Sequence, residues 1–89
     1  MREVVYKRAF RKDYRRISRS GRNLDRFKQA VELLLQGVEL PPIYRDHALV
    51  GNWRDFRECH LGGDLLLIYQ MDDAEIVLVR MGSHSELFD

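Results

Sequence analysis

The chain has 89 residues, of which 45% are hydrophobic and 33% are charged. This length allows one domain over residues 1–89, and the composition is typical of a globular protein rather than a disordered one. The single cysteine excludes an intrachain disulfide. No apolar run approaches the roughly 20 residues that a membrane span requires. We therefore expect a cytoplasmic protein that makes no use of a membrane.

The net charge of +1 is unevenly distributed along the chain. Residues 1–22 carry nine Lys or Arg and two Asp or Glu, a net charge of +7, whereas residues 23–89 carry a net charge of −6. This asymmetry indicates a polyanionic or acidic partner for the N-terminal side, or only a solvated basic helix face. Charge alone does not decide between these two interpretations.

The first half of the sequence predicts a short strand followed by two helices. β-branched residues favour a strand over residues 2–6. A helix from about Ala9 to Ser20 is predicted by apolar residues at the helical spacing i, i+4, i+7: Phe10, Tyr14 and Ile17. Gly21 is typical of a helix end and Asn23 of a new helix start, so a second helix is expected up to about Gln36.

The second half predicts an antiparallel meander. A double-proline connector, residues 40–44, and a loop, residues 45–52, lead into three predicted strands. These strands are Trp53–His60, Asp64–Gln70 and Glu75–Met81, with short turns between them. The order β-α-α-β-β-β predicts an α+β fold, with an N-terminal strand and a helical hairpin packed on a small antiparallel sheet.

Residues capable of chemistry concentrate in the second half, which holds His47, His60 and His84 together with Asp64 and Arg80. A lone histidine is more often a polar surface or core residue. Alternation along strands allows Arg80, Asp64 and His60 to share the sheet face away from the helices, provided that the register is suitable. The histidine spacings of 13 and 24 match no metal motif. Histidine exchanges protons near neutral pH and arginine binds phosphate, a pair suited to metal-free cleavage of RNA through its own 2′-hydroxyl.

Three further residues need an interpretation, and for Phe88 and Cys59 a structural and a functional one compete. Phe88 either stacks on a splayed base or closes the hydrophobic core at the C-terminus, and by itself the second is favoured. Trp53 is predicted to pack in the core. Cys59 is adjacent to His60 in one strand, so their side chains point to opposite faces and cannot form a thiol–imidazole pair. We therefore predict that Cys59 is a core residue.

Four segments occur in a characteristic order: Tyr44–His47, Leu49–His60, Asp64–Tyr69 and Arg80–Phe88. Together with Leu40–Pro42 and the two-helix N-terminal half, they resemble the YafQ branch of the RelE/ParE toxin superfamily. The resemblance covers the whole chain. It implies a RelE-like fold and a type II toxin–antitoxin mRNA interferase, a ribosome-dependent endoribonuclease that cleaves mRNA in the A site and inhibits translation. It implies no cofactor and no metal.

The resemblance also implies the residues of the site: His47, His60, Asp64, Arg80, His84 and Phe88. His84 is then the general acid and Arg80 binds the scissile phosphate. The other two histidines and Asp64 supply the base and position the substrate, and the aromatic residue binds it. Leu65 departs from the compared toxin, which has an aromatic residue there, and this argues against base stacking at that position.

The resemblance gives the basic first helix two alternative functions. Arg11, Arg15 and Arg16 bind ribosomal RNA through salt-dependent phosphate contacts, or they bind an acidic antitoxin segment that folds on binding. The implied partners are the ribosome, mRNA and a DinJ-like antitoxin of the ribbon-helix-helix type that binds DNA as a complex. Two alternatives are a non-catalytic ParE-like inhibitor of gyrase and a plain nucleic-acid-binding module. The histidines and Arg80 favour the nuclease, since a pure binder needs no group that titrates near pH 7.

Overall fold

The structure, a computed structural model, describes residues 2–88. Its regular elements follow in the order β1 (Glu3–Tyr6), α1 (Arg8–Arg19), α2 (Asp25–Leu35), β2 (His47–Ala48), β3 (Arg57–His60), β4 (Leu66–Met71), β5 (Glu75–Gly82) and α3 (His84–Phe88). Short 3-10 turns flank β2, at Pro42–Tyr44 and Gly51–Trp53. Within residues 2–88, no helix has both the length and the apolar character needed to cross a membrane. The predicted α+β class is confirmed.

The five strands form one sheet in the order β1-β5-β4-β3-β2. The strands from β2 to β5 pair antiparallel, as the predicted meander requires, whereas β1 pairs parallel to β5. The sheet is therefore mixed rather than wholly antiparallel. After the helical hairpin, the chain enters the sheet at the edge opposite β1. The strands of the meander then follow one another across the sheet, so the last of them, β5, lies beside β1. The strand β2 lies in a segment predicted as a loop.

The predicted helical hairpin is confirmed, with α1 shifted by one residue from its expected bounds. Gly21 has a φ of +80° between the helices, a conformation that glycine adopts at little cost. The side-chain oxygen of Asn23 accepts a hydrogen bond from the Asp25 amide at 2.8 Å, although the formal N-cap of α2 is Leu24. A short polar turn thus ends one helix and begins the next.

A hydrophobic cluster lies on each face of the sheet. The larger one, under the helical hairpin, joins helix residues to alternate strand residues: Phe10, Ile17, Phe27, Ala30, Leu34, Leu67, Tyr69, Ile76, Leu78 and Met81. Cys59 lies in this cluster and is fully buried, and burial raises the pKa of its thiol, so the prediction of a core cysteine is confirmed. The smaller cluster lies on the opposite face: Leu66, Ile68 and Leu87, with Leu49, Trp53, Phe56, Val79 and Phe88 against it. Trp53 is a packing residue, as predicted.

A β-bulge changes which face the end of β5 presents. Tyr69 of β4 pairs with Leu78 of β5. The preceding β4 residue, Ile68, pairs with Arg80, which leaves Val79 as an extra residue in β5. Strict alternation predicts that Arg80 shares a face with Leu78. That prediction is wrong, because the bulge moves Arg80 to the face of Ile68.

Asp13, the one acidic residue of α1, connects this helix to β5 just after the bulge. Its carboxylate is buried and accepts hydrogen bonds from Arg80 Nε at 2.7 Å, from Arg80 Nη2 at 3.1 Å and from the Met81 amide at 3.0 Å. The hydrogen bonds with Asp13 raise the pKa of the Arg80 guanidinium above its ordinary value. The side chain of Arg80 is therefore fixed in position and in charge.

The helix α3 begins with a capping box in the pattern S-x-x-E. The Ser83 amide donates to Glu86 Oε1 at 2.8 Å, and the Glu86 amide donates to Ser83 Oγ at 3.2 Å. The bond from the Ser83 amide lowers the pKa of the Glu86 carboxyl. The other carboxylate oxygen of Glu86 lies 2.6 Å from Arg16 Nη1 on α1. The last turn of the chain is thus anchored at its start and tied to the first helix.

We expect Asp13→Ala to lower the free energy of unfolding by about 2–3 kcal/mol, because the change leaves Arg80 and the Met81 amide without their partner. Urea unfolding followed by Trp53 fluorescence measures the difference. Asp73→Ala, an exposed turn residue, is the control and should change stability by less than about 0.5 kcal/mol. Equal stability of the two variants would contradict this role.

The capping box predicts that Glu86→Ala frays α3 at a local cost of about 1 kcal/mol, whereas Glu86→Gln keeps the box. Amide hydrogen exchange of residues 84–88 measures the fraying. Because the pKa of Glu86 is lowered in the folded state, its carboxylate stabilises the folded state at every pH above the ordinary pKa of a carboxyl group. That contribution is lost as the pH falls through the folded-state value. Equal exchange in the Ala and Gln variants would show that the box does not hold α3.

Candidate active site

Two of the predicted histidines meet around a carboxylate on the sheet face away from the helical hairpin. The register pairs His47 of β2 with Glu58 of β3, and Glu58 with Ile68 of β4. His60 lies two residues beyond Glu58, so it shares this face. Oε1 of Glu58 lies 3.6 Å from Nε2 of His47 and 3.5 Å from Nε2 of His60. One carboxylate oxygen therefore faces both imidazoles.

The carboxylate lies beneath the rings. The side chain of Glu58 is 9% exposed, whereas those of His47 and His60 are 48% and 31% exposed. A solute can therefore reach both imidazoles but has little access to the carboxylate. Glu58 is absent from the predicted site residues. The sequence did carry a signal for Glu58, because glutamate is disfavoured in the middle of a strand.

The backbone of Arg45 determines the tautomer of His47. Nδ1 of His47 lies 2.7 Å from the Arg45 carbonyl oxygen, which only accepts hydrogen bonds, so Nδ1 carries the proton. In the neutral ring, Nε2 is then the basic nitrogen, and it faces Glu58. Arg45 has a φ of +48°, which makes it the only non-glycine residue with positive φ between residues 2 and 88. Backbone strain of this kind concentrates at functional sites.

A partly buried polar network holds the segment that carries His47. The preceding residue, Asp46, accepts hydrogen bonds from the Tyr69 hydroxyl and from Arg57 Nη2, the latter at 3.1 Å. Burial, followed by the bond to Asp46, raises the pKa of the Tyr69 phenol. The bond to Asp46 also raises the pKa of Arg57. β2 is only two residues long, so its pairing with β3 is short. The network around Asp46 therefore helps to fix the position of this segment.

Arg80 shares the face of the two histidines. Because Ile68 pairs with both Glu58 and Arg80, the three residues lie in one row across the sheet, and Arg80 is two strand spacings, about 10 Å, from Glu58. Asp13 occupies the Nε and Nη2 edge of the guanidinium. The Nη1 group makes no hydrogen bond within residues 2–88 and remains available to an anion. Arg80 and His60 thus lie on one face, which alternation along the strands allowed, whereas Asp64, the third residue of that set, does not join them.

His84 and Phe88 lie together on α3, a helix that was not predicted from the sequence. Their rings are 5.0 Å apart, and Phe88 also contacts Trp53 edge-on, with 5.8 Å between the ring centroids. His84 is exposed and Phe88 is half-buried. Phe88 therefore packs in the small cluster, as its structural interpretation requires, and also lies beside the imidazole of His84. Base stacking by Phe88 stays a prediction.

The start of α3 lies at the same end of the sheet as His60. The register pairs His60 with Leu66 and Leu66 with Gly82, the last residue of β5. Leu87 of α3 packs against Leu66, so the helix folds back over this face. The sheet thus gathers three histidines, Arg80 and Phe88 on one side.

Asp64 lies apart from this group. β4 begins at Leu66 rather than at Asp64, so Asp64 belongs to the turn between β3 and β4. Its side chain is 68% exposed and pairs with Arg22 of the interhelix turn at 2.8 Å. The neighbouring Leu65 is buried in the larger cluster. A buried leucine cannot stack on a base, which agrees with the argument from the sequence.

The predicted basic residues of α1 separate into two environments. Arg11 and Arg15 border an open groove of about 440 Å³ whose floor is aromatic: Tyr6, Phe10, Tyr14 and Phe27. The Arg11 guanidinium lies 5.5 Å from the centroid of the Tyr6 ring. Arg16 points elsewhere, toward Glu86 and Asp13. Two of the three arginines thus present charge beside an apolar surface, and the third joins α1 to α3.

Solved structures with the same fold include proteins from two bacteria. A copper-bound mutant toxin from Helicobacter pylori is 39% identical, with a TM-score of 0.94 over 99% of this chain and 100% of that chain. YafQ in the Escherichia coli DinJ–YafQ complex is 30% identical, with a TM-score of 0.91 over 100% of both chains. In residues 2–88 of the present chain, no three His, Cys, Asp or Glu side chains form a group that could hold a metal ion.

Sequence comparison agrees with this structural similarity. The mRNA interferase toxin YafQ of Escherichia coli is 31% identical over 88 residues, which cover 98% of this chain and 96% of that protein. The family model described as the bacterial toxin of type II toxin–antitoxin systems, YafQ, matches residues 2–89. Since this match spans almost the entire sequence, the chain belongs to the YafQ family of type II toxin–antitoxin toxins.

Proposed function

We propose that the chain is an mRNA interferase, an endoribonuclease that inhibits translation. The observation that carries this proposal is the grouping of His47, His60, His84 and Arg80 on one sheet face, with the imidazoles open to solvent. The related Escherichia coli toxin bears the name mRNA interferase. We further propose that cleavage occurs on translating ribosomes in the cytoplasm, where the message is held in the A site.

The reaction is an attack of the RNA 2′-hydroxyl on the adjacent phosphorus. His47 or His60 removes the hydroxyl proton, and for His47 the accepting atom is Nε2, because Nδ1 is bonded to the Arg45 carbonyl. The P–O5′ bond breaks as the new P–O2′ bond forms. His84 protonates the departing 5′-oxygen, so the products are a 2′,3′-cyclic phosphate and a 5′-hydroxyl.

Arg80 and Phe88 bind the substrate in this proposal. The Nη1 group of Arg80 binds the scissile phosphate and stabilises the additional negative charge of the phosphorane. Phe88 stacks on a base beside the cleaved bond, and Trp53 contacts the Phe88 ring edge-on. Asp64, which pairs with Arg22, positions the message at the edge of the site. No step requires a group from outside the chain.

Two macromolecular partners follow from the proposal. The Escherichia coli YafQ structure is a complex with DinJ, and we propose a DinJ-like antitoxin, of the ribbon-helix-helix type and DNA-binding as a complex, for this chain. The groove between Arg11 and Arg15 suits either ribosomal RNA or an acidic antitoxin segment with apolar side chains. The two partners then compete for one surface.

We expect His84→Ala to lower the rate of message cleavage by about 10²–10⁴-fold, because the leaving oxygen loses its acid. Single-turnover cleavage of a defined message on programmed ribosomes, read by primer extension, measures this rate. Ser85→Ala, the next exposed residue of α3, is the matched control. The acid role is wrong if a folded His84→Ala protein cleaves within about twofold of the wild-type rate.

We also expect Arg11→Glu/Arg15→Glu to weaken ribosome association and to reduce its salt dependence, since each phosphate contact contributes to the slope. Co-sedimentation with ribosomes at several salt concentrations measures both effects. Arg16 is left unchanged because it holds Glu86. Lys28→Glu, on the exposed side of α2, changes the net charge by half as much and controls for a charge reversal away from the groove. A double variant that sediments like the wild type would remove the docking role.

A further inference from the structure

We propose that Arg22, in the turn between α1 and α2, is a second phosphate-binding residue of this site, and the inference rests on the proposed nuclease function. Its guanidinium binds a phosphate of the message close to the scissile one, where the RNA leaves the open sheet face. Asp64 acts through Arg22 by holding the guanidinium in place. Arg22 touches neither the attacking hydroxyl nor the leaving oxygen, so it is a binding residue and not a catalytic one.

The first argument is the position of Arg22 beside the reactive face. Nη1 of Arg22 lies 2.8 Å from Oδ1 of Asp64, and Nη2 donates to the Gly62 carbonyl oxygen at 3.3 Å. Strand β3 ends at His60, two residues before Gly62. Two residues span at most about 7 Å of backbone. The cation is therefore fixed just beyond the end of the strand that presents the His60 imidazole, beside the path of an RNA that crosses this face.

The second argument is that the two contacts orient the guanidinium without using all of its donors. Nε of Arg22 makes no hydrogen bond within residues 2–88, and each Nη group carries a second N–H. The side chain is 37% exposed, so an anion can reach these donors. The same arrangement occurs at Arg80, where Asp13 holds one edge of the guanidinium and Nη1 stays free. Each arginine is thus oriented by a carboxylate and still able to bind a phosphate.

The third argument is the turn that receives the arginine. Gly62 and Gly63 have φ values of +97° and +56°. A Cβ atom at Gly63 would lie 2.9 Å from Nη2 of Arg22, so a larger residue there would displace the guanidinium. Folding alone explains the pair with Asp64 poorly, because an ion pair whose side chains are 37% and 68% exposed contributes little to stability.

A polar groove of about 400 Å³ continues from Arg22 along the start of α2. Its lining includes Arg26 and Asp25, so the two arginines and one aspartate give it a net charge of 2 − 1 = +1. The Arg26 guanidinium lies 5.6 Å from the centroid of the Tyr44 ring, a cation–π contact that holds it in the wall of the groove. An RNA strand that passes Arg22 therefore meets a second arginine rather than an apolar surface.

The test combines protein variants with synthetic messages that lack one phosphate charge, through a single methylphosphonate at each position flanking the scissile phosphate. Single-turnover cleavage on programmed ribosomes is measured against toxin concentration. We expect Arg22→Ala to raise the half-saturating concentration by about 10–100-fold on the unmodified message and to leave the maximal rate within about twofold. Arg8→Ala, an exposed arginine at the other end of α1, is the matched control. On the message that lacks the contacted charge, Arg22→Ala should have no further effect.

Gly63→Ala is the second variant, because its added methyl group displaces the guanidinium and keeps the charge of the chain. It should weaken binding of the same message position as Arg22→Ala. Gly37→Ala controls for backbone strain, since Gly37 has a φ of +73° and its Cβ would make only an ordinary contact. Asp64→Asn should also weaken binding, and it should add nothing in the Arg22→Ala background.

Two outcomes overturn this inference and leave the proposed nuclease intact. The first is an Arg22→Ala protein that cleaves every message with the half-saturating concentration of the wild type. The second is a loss that is equal on all messages, because the arginine would then contact ribosomal RNA or support folding instead of the message. A wild-type protein that cleaves no message overturns the proposed function and this inference with it.

Discussion

The bond between Asp13 and the end of β5 is the constraint on which the site depends. It joins residues 67 positions apart, and the carboxylate satisfies a side chain and a backbone amide at once. The amide of Met81 lies just beyond the bulge, where the β4–β5 ladder is irregular. Asp13 therefore stabilises the place at which the strand departs from ideal pairing, and it fixes Arg80 at that same place. The helical layer positions the site from the opposite side of the sheet.

The bulge and the register divide the sheet into two functional faces. The side under the helical hairpin is closed by packing and holds the buried Cys59. The other side is covered only by a small cluster and α3, which leaves room for His47, His60 and Arg80. These groups come from three different strands, so their separations follow from strand spacing rather than from loop conformation. A site built in this way is preorganised to the extent that the sheet is rigid.

Local sequence patterns were sufficient to predict the helices and strands, but not to predict which residues of different strands contact one another. Helical spacing and Gly21 located the hairpin, and residue type together with the family resemblance located the histidines and Arg80. The pairing of Glu58 with two histidines depends on register, which no local pattern encodes. The extra residue Val79 reversed the predicted parity of β5, since one inserted residue exchanges the faces. The capping box from Ser83 to Glu86 is different, because its S-x-x-E pattern is local and could have been predicted.

The two surfaces of α1 connect the aromatic groove to Arg80 and to α3. Arg11 and Arg15 border the aromatic groove, whereas Asp13 and Arg16, on the same twelve-residue helix, hold Arg80 and Glu86. Glu86 in turn caps the helix that carries His84. A partner bound in the groove is therefore linked to Arg80 and to the helix that carries His84 through α1 and two direct contacts. The basic surface of α1 and the segment from Arg80 to His84 thus belong to one continuous structure.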